Sequence, residues 1–184
     1  MHTPTKLIQE FSSGNKTALN QLFELIYEEL HSVAKHQRHR WNGNSTLDTT
    51  ALIHETYLKM WRNQPDHLEN RLHFLALAAK AMRQILINYA EKSAAQKRGG
   101  EIEHISTGDL ELIADEKVAE DLLDMDEALT RLEKANERQA KVFEYRFFGG
   151  MTVEETATML NISPATVKRD WQAACTRIYS EVKK

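Results

Sequence analysis

The sequence predicts an all-α protein: two small helical domains joined by an acidic linker, the second domain carrying a helix-turn-helix. Three observations predict it. Apolar residues recur at helical spacing along most of the 184 residues, and no stretch alternates convincingly with period two. Seven glycines and three prolines are too few to turn the many strands of a sandwich or barrel. Charge is segregated in blocks: residues 71–99 carry six basic groups against Glu91, net +5, and residues 100–130 carry eleven acidic groups against Lys117, net −10. The outer blocks are milder, with 7 basic and 8 acidic groups in 1–70 and 10 basic and 7 acidic groups in 131–184. The overall charge of −3 therefore conceals two basic units flanking an acidic bridge. A swing of that size between adjacent blocks points to a charged partner.

Each element follows in order. Gly14-Asn15 opens a helix over 16–39 whose inner stripe is Leu19, Leu22, Phe23, Ile26, Leu30 and Val33. A turn-prone stretch from Arg40 to Leu47, with Asn42-Gly43-Asn44-Ser45, ends it. Asp48 then caps a helix turning Leu52, Ile53, Thr56, Tyr57, Met60 and Trp61 inward, and Pro65 stops it. Asn70 caps a long third helix with Phe74, Leu75, Ala78, Met82, Ile85, Leu86 and Tyr89 inward. That helix runs to the basic pair Lys97-Arg98 and stops at Gly99-Gly100. Residues 1–100 thus form a three- or four-helix domain with its own core. Weak periodicity and dense negative charge make 101–120 a linker. Helices resume near Ala119 with Leu122, Leu123, Met125, Leu129 and Leu132, so the second domain spans 121–184. A helix across Glu137–Phe148 ends at Gly149-Gly150.

Several classes of function are excluded. Hydrophobic residues at 41% and charged residues at 28% are ordinary for a globular chain. The single cysteine, Cys175, rules out a disulfide framework or a cysteine-rich zinc site and reads as a small packed hydrophobe. No apolar run of about eighteen residues exists, and Met1 to Lys6 lacks a signal core, so a reduced cytoplasmic compartment is expected, with no membrane insertion. His54-Glu55 begins a metalloprotease-like string, but Leu58 stands where the second histidine should be. His31, His36 and His39 lack supporting carboxylates or thiols and read as solvated. There is no phosphate-cradling glycine loop and no nucleophile in a recognisable setting. The expectation is no enzyme, no catalytic residue, no metal and no cofactor.

The most informative segment is Thr152 to Trp171. Thr152 and Glu155 form a capping box, Ala157 offers a small side chain where two helices cross, and Asn161 suits a left-handed turn. Ser163 caps the next helix and Pro164 takes its first position. Val167, Trp171, Ala174 and Ile178 turn inward. Short helix, tight turn and second helix make a helix-turn-helix whose second helix fits the major groove. Its outer face offers Ala165, Thr166, Lys168, Arg169, Gln172 and Arg177: cations for phosphates, and Thr, Arg and Gln for base edges.

With these motifs in view, the chain resembles a bacterial sigma factor of the extracytoplasmic-function (ECF) type, the minimal two-domain class. Asp48-Thr-Thr-Ala-Leu-Ile-His-Glu-Thr-Tyr-Leu-Lys-Met-Trp61 is similar to the helix by which the family's first domain grips the RNA polymerase clamp. The resemblance makes Asp48, Leu52, His54, Glu55, Leu58, Lys59 and Arg62 candidate polymerase contacts. Phe74 to Ala90 resembles the helix that melts and holds the downstream promoter element. Lys80, Arg83, Gln84 and Asn88 lie on its outer stripe, which can track a displaced strand. The loop before it matches the family's base-capturing loop, with Asn63, Gln64, His67, Asn70 and Arg71 as polar candidates. The last fifty residues resemble the domain that reads the upstream element. The family implies core RNA polymerase (clamp and flap) and promoter DNA as partners, with an anti-sigma factor or a Ser/Thr kinase as further candidates.

One departure stands out. The family's polymerase-gripping helix usually begins with several carboxylates; here Asp48 is followed by Thr49, Thr50 and Ala51. Phosphorylation of Thr50, or failing that Thr49, would restore negative charge at a helix N-terminus, although a threonine there can equally act as a cap. Two other readings compete with the sigma factor: a sigma mimic that sequesters an anti-sigma factor, and a conventional regulator with a helical sensor. Outward Lys80, Arg83, Lys168 and Arg169 disfavour the mimic, which has no need of them.

Overall fold

The computed structural model describes residues 4–40, 49–63, 68–97 and 116–182. Among them are eight α-helices and no strand, so the all-α expectation holds. They are α1 (Pro4–Ser12), α2 (Lys16–Arg40), α3 (Thr49–Arg62), α4 (Arg71–Lys97), α5 (Glu116–Ala135), α6 (Glu137–Phe147), α7 (Val153–Leu160) and α8 (Pro164–Val182).

The amino-terminal element was not legible in the periodicity. Helix α1 is only nine residues long, yet it buries Leu7, Ile8 and Phe11 completely. Gly14, at φ +104°, makes the reversal into α2, and Asn15 caps that helix by accepting the Thr17 N–H at 3.1 Å. Helix α2 packs its stripe of Leu19, Leu22, Phe23, Ile26 and Leu30 against α1 and α3. Phe23 meets Tyr57 of α3 and Phe74 of α4 edge to face, at 5.1 and 5.8 Å between centroids. In α3, buried Thr56 returns its hydroxyl to the Leu52 carbonyl at 2.7 Å, which removes the cost of an unpaired polar group. Asn70 starts α4 by accepting the His73 N–H at 3.1 Å.

Beyond α4, the chain resumes as helix at Glu116, five residues before the expected domain start, and Ala119 is already buried. That part of the expected linker is therefore structured; residues 101–115, the Arg40–Leu47 turn beyond Arg40, the Gly99-Gly100 stop and Asp48 lie outside the described residues. Asn136 caps α6 by accepting the Gln139 N–H.

The second difference is in the core. The sequence suggests one core per domain, but the apolar side chains of α4 (Leu75, Ala79, Met82, Leu86) and those of α5 and α6 (Leu122, Met125, Leu129, Phe147) belong to one continuous cluster. Helix α4 is the shared wall, packed against α1 and α3 on one side and against α5, α6 and α7 on the other. Its near-uniform distribution of small and apolar residues is what a helix covered on two sides requires.

Candidate nucleic-acid interface

Helices α7 and α8 are built as their sequence predicts. The Thr152 side chain accepts the Glu155 N–H at 3.1 Å and the Glu155 carboxylate accepts the Thr152 N–H at 2.9 Å, closing the capping box. Asn161 turns the chain in the left-handed conformation, φ 51° and ψ 49°. The Ser163 hydroxyl then caps α8 by accepting the Thr166 N–H at 3.1 Å. Buried Val167, Ala174 and Ile178, with half-buried Trp171, anchor α8. Trp171 stacks on Phe143 at 5.5 Å, and the Arg146 guanidinium lies 4.5 Å from its ring centroid.

One anchor escaped the sequence reading. Asp170, 2% exposed, points inward from α8 and receives the Arg138 Nε–H from α6 at 2.6 Å. An aspartate between Arg169 and Trp171 gives no periodic signal; only the partner thirty-two residues away explains it. The pair fixes the roll of α8, and with it the direction of the outer face.

That outer face carries exposed Ala165, Lys168, Arg169 and Gln172. Thr166 is half-buried, its hydroxyl 2.9 Å from that of Ser163. Arg177 falls toward the flank of the helix at about 100° per residue, with its Nε 3.8 Å from Glu181. The ridge is thus centred on Lys168, Arg169 and Gln172.

The predicted stripe on α4 fares differently. Lys80, Gln84 and Asn88 are exposed, the Gln84 amide donating to Asn88 Oδ1 at 2.8 Å. Arg83 is not outward. It donates through Nε to Asp126 at 2.7 Å, through Nη1 to Glu144 at 2.9 Å and through Nη2 to the Thr130 hydroxyl at 3.4 Å, leaving its side chain 16% exposed. Burial pulls its pKa down, but the hydrogen bonds and charges of Glu144 and Asp126 outweigh this, and the net direction is up. Arg71 is likewise engaged, with Glu155 of α7 at 2.8 Å and Glu29 of α2 at 2.6 Å. Two of the cations expected to face DNA therefore face carboxylates, because α5, α6 and α7 lie where an open chain would leave solvent.

At the junction of α3 and α4, a small, mostly apolar pocket of about 240 Å³ is lined by Lys59, Met60, Asn63, Leu77, Lys80, Ala81 and Gln84. Burial lowers the pKa of Lys59 there. Asn63 is exposed at its mouth and Asn70 caps α4, whereas Gln64 and His67 lie outside the described residues. On α3, His54 and Arg62 are exposed, and Glu55, Leu58 and Lys59 are half-buried. Leu52 is 3% exposed, so it holds α3 in the bundle rather than offering a contact. Thr50 is exposed.

Among the described residues, no group of three or more His, Cys, Asp or Glu side chains could hold a metal ion. No described helix is long and apolar enough to cross a membrane. The family model described as ECF sigma factor matches residues 1–184. No curated protein matches the chain.

Proposed function

The chain belongs to the ECF sigma factor family, and from that premise we propose how its surfaces divide the work of transcription initiation. Membership makes it an RNA polymerase sigma factor, a transcription regulator that binds core polymerase and promoter DNA. The finer assignment is ours. Residues 1–100 bind the polymerase clamp through His54, Glu55, Leu58, Lys59 and Arg62 and melt the downstream element; residues 121–184 read the upstream element; the acidic segment between them passes through the polymerase.

The observation that carries the assignment is the ridge on α8. Lys168 and Arg169 are exposed on a helix whose start, turn and roll are each fixed by a specific contact, and a rigid helix with free cations and an amide is what major-groove reading needs. The apolar pocket beside Asn63 supports a matching role for the first domain: its size and apolar floor suit a planar base, and Lys59 and Lys80 suit the flanking phosphates. The mimic reading leaves the exposed Lys80, Lys168 and Arg169 without purpose.

A further part of the proposal concerns control. Helix α3 begins at Thr49 with no acidic side chain in its first turn. Phosphorylation of Thr50 (or Thr49) would add about −1.5 to −2 charge at a helix N-terminus, where anions are favoured. A Thr50→Glu chain is expected to bind core polymerase more tightly than wild type; unchanged affinity and promoter activity contradict the switch. The division of labour is tested by purified Lys168→Ala and Lys80→Ala chains in transcription with core polymerase. The first is expected to lose upstream-element protection and the second to lose strand opening with protection retained. The same defect from both variants contradicts it.

A further inference from the structure

Helix α1 reaches the downstream-reading part of the molecule through one side chain. Its core residues Leu7, Ile8 and Phe11 are fully buried, which ties the helix to the bundle along its inner face. Its end is fixed as firmly. The Asn15 N–H donates to the Glu10 carbonyl at 2.9 Å and the Gly14 N–H to the Phe11 carbonyl at 3.0 Å. Those two bonds close a helix when the residue after it takes a positive φ, as Gly14 does at +104°. Ser12, in the last turn, is therefore carried on a rigid post.

The Ser12 hydroxyl is spent on a residue 56 positions away. It accepts the Leu68 N–H at 3.0 Å and donates to the Leu68 carbonyl at 3.5 Å, so one side chain meets both backbone polar groups of one residue. Leu68 itself is 5% exposed and its side chain joins the core cluster. Two residues later Asn70 caps α4, accepting the His73 N–H on its side chain and the Phe74 N–H on its carbonyl, both at 3.1 Å. The entry to α4 is thus pinned at Leu68 by α1 and at Asn70 by its own cap. Removing the hydroxyl would leave the Leu68 donor and acceptor in a buried setting without this partner, and such a loss costs more than the bond contributes. The backbone there would have to shift toward water.

We propose that Ser12 is a positioning residue for downstream-element recognition: its hydroxyl fixes the Leu68 backbone and so sets the end of the base-capturing loop that carries Asn70 and Arg71. The proposal rests on the sigma-factor reading and on the assignment of that loop to base capture. A loop whose end is held in place before the base arrives does not have to be ordered at the moment of capture, so the bond acts on discrimination between bases more than on the stability of the fold. Ser12 touches no DNA in this account; it acts through Leu68.

The test uses the full-length Ser12→Ala chain. Alanine is the better helix former and leaves Leu7, Ile8 and Phe11 in place, so helical circular dichroism is expected to match wild type. In the free chain the Leu68 amide hydrogen is expected to exchange about fivefold faster by nuclear magnetic resonance, with amides in the middle of α4 unchanged. In holoenzyme on templates randomised at the downstream element, preference among bases should fall about fivefold, with selection of the upstream element retained. Ser12→Cys keeps a side chain of similar shape with a weak hydrogen-bonding group; it is expected to behave as Ser12→Ala, and it carries the test if the alanine chain loses helicity. Wild-type exchange at Leu68 in these variants overturns the positioning role, and so does wild-type base preference from a chain whose Leu68 amide exchanges faster. Wild-type preference from the cysteine chain alone would mean that the space, not the hydrogen bond, matters, and also overturns it. Failure of the wild-type chain to initiate with core polymerase overturns the sigma-factor reading and the positioning role together.

Discussion

A single side chain on α8 decides how the ridge is used. Lys168 is exposed, and replacing it with alanine removes one phosphate contact without disturbing the buried anchors Val167 and Asp170 beside it. Lys168→Ala is expected to reduce the slope of log binding constant against log salt by about one for holoenzyme on promoter DNA, read by fluorescence anisotropy; an unchanged slope removes Lys168 from the interface. Glu155 gives a pH-dependent counterpart. Burial raises its pKa, but hydrogen bonds from Arg71 and Thr152, with the Arg71 charge, outweigh this and bring it below the ordinary glutamate value. A carboxyl depressed on folding contributes stability that is full above its unfolded pKa and is lost as pH falls through the folded one. Acidification below the usual glutamate range is therefore expected to lower the melting temperature, and Glu155→Gln should flatten that part of the curve. At this scale the capping residues Asn70, Thr152, Glu155 and Ser163 were legible in the sequence, because a cap acts on its own next turn. Arg71, Arg83 and Asp170 were not: their partners lie 84, 43 and 32 residues away, and no local pattern records them.

At the scale of the element, the turn between α7 and α8 concentrates the most specific geometry. Asn161 sits at φ 51°, a conformation that costs an ordinary side chain about 1–2 kcal/mol. Asn161→Val is expected to destabilise the chain by roughly that amount and Asn161→Gly to leave it near wild type, by denaturant titration. Equal losses from both would mean that the side chain, not the backbone angle, is what the site needs. Gly149 is the element-scale test of the joint with α4. A Cβ there meets the Tyr145 carbonyl at 2.7 Å and Ala79 at 2.9 Å, so Gly149→Ala is expected to cost about 1–3 kcal/mol. Helices α3 and α8 were legible from their apolar stripes, α4 from a long apolar run that follows the cap at Asn70, and α6 from the Gly149-Gly150 stop that ends it. Helix α1 was missed for the opposite reason: nine residues hold only three core positions, too few for a period to be counted. The start of α5 was hidden by its charge, since Glu116, Lys117 and Glu120 precede the first dense run of leucines.

For the whole molecule, the all-α class and the order of units follow from periodicity and the charge swing, but the way the halves meet does not. The same leucines that predict a stripe on α5 serve equally well against its own domain or against α4, and burial against α4 is the arrangement found. That choice covers Arg83, one member of the expected stripe, and leaves Lys80, Gln84 and Asn88 exposed. The central claim is that this chain directs core polymerase to a promoter with one half and opens it with the other. The most direct measurement is transcription initiation in vitro, with purified chain and core polymerase on a library of random promoter templates, sequencing the starts. The account predicts starts confined to templates sharing two spaced elements, with Lys168→Ala relaxing the choice of the upstream one. Starts absent, or scattered without a shared element, in every phosphorylation state of the chain would contradict it.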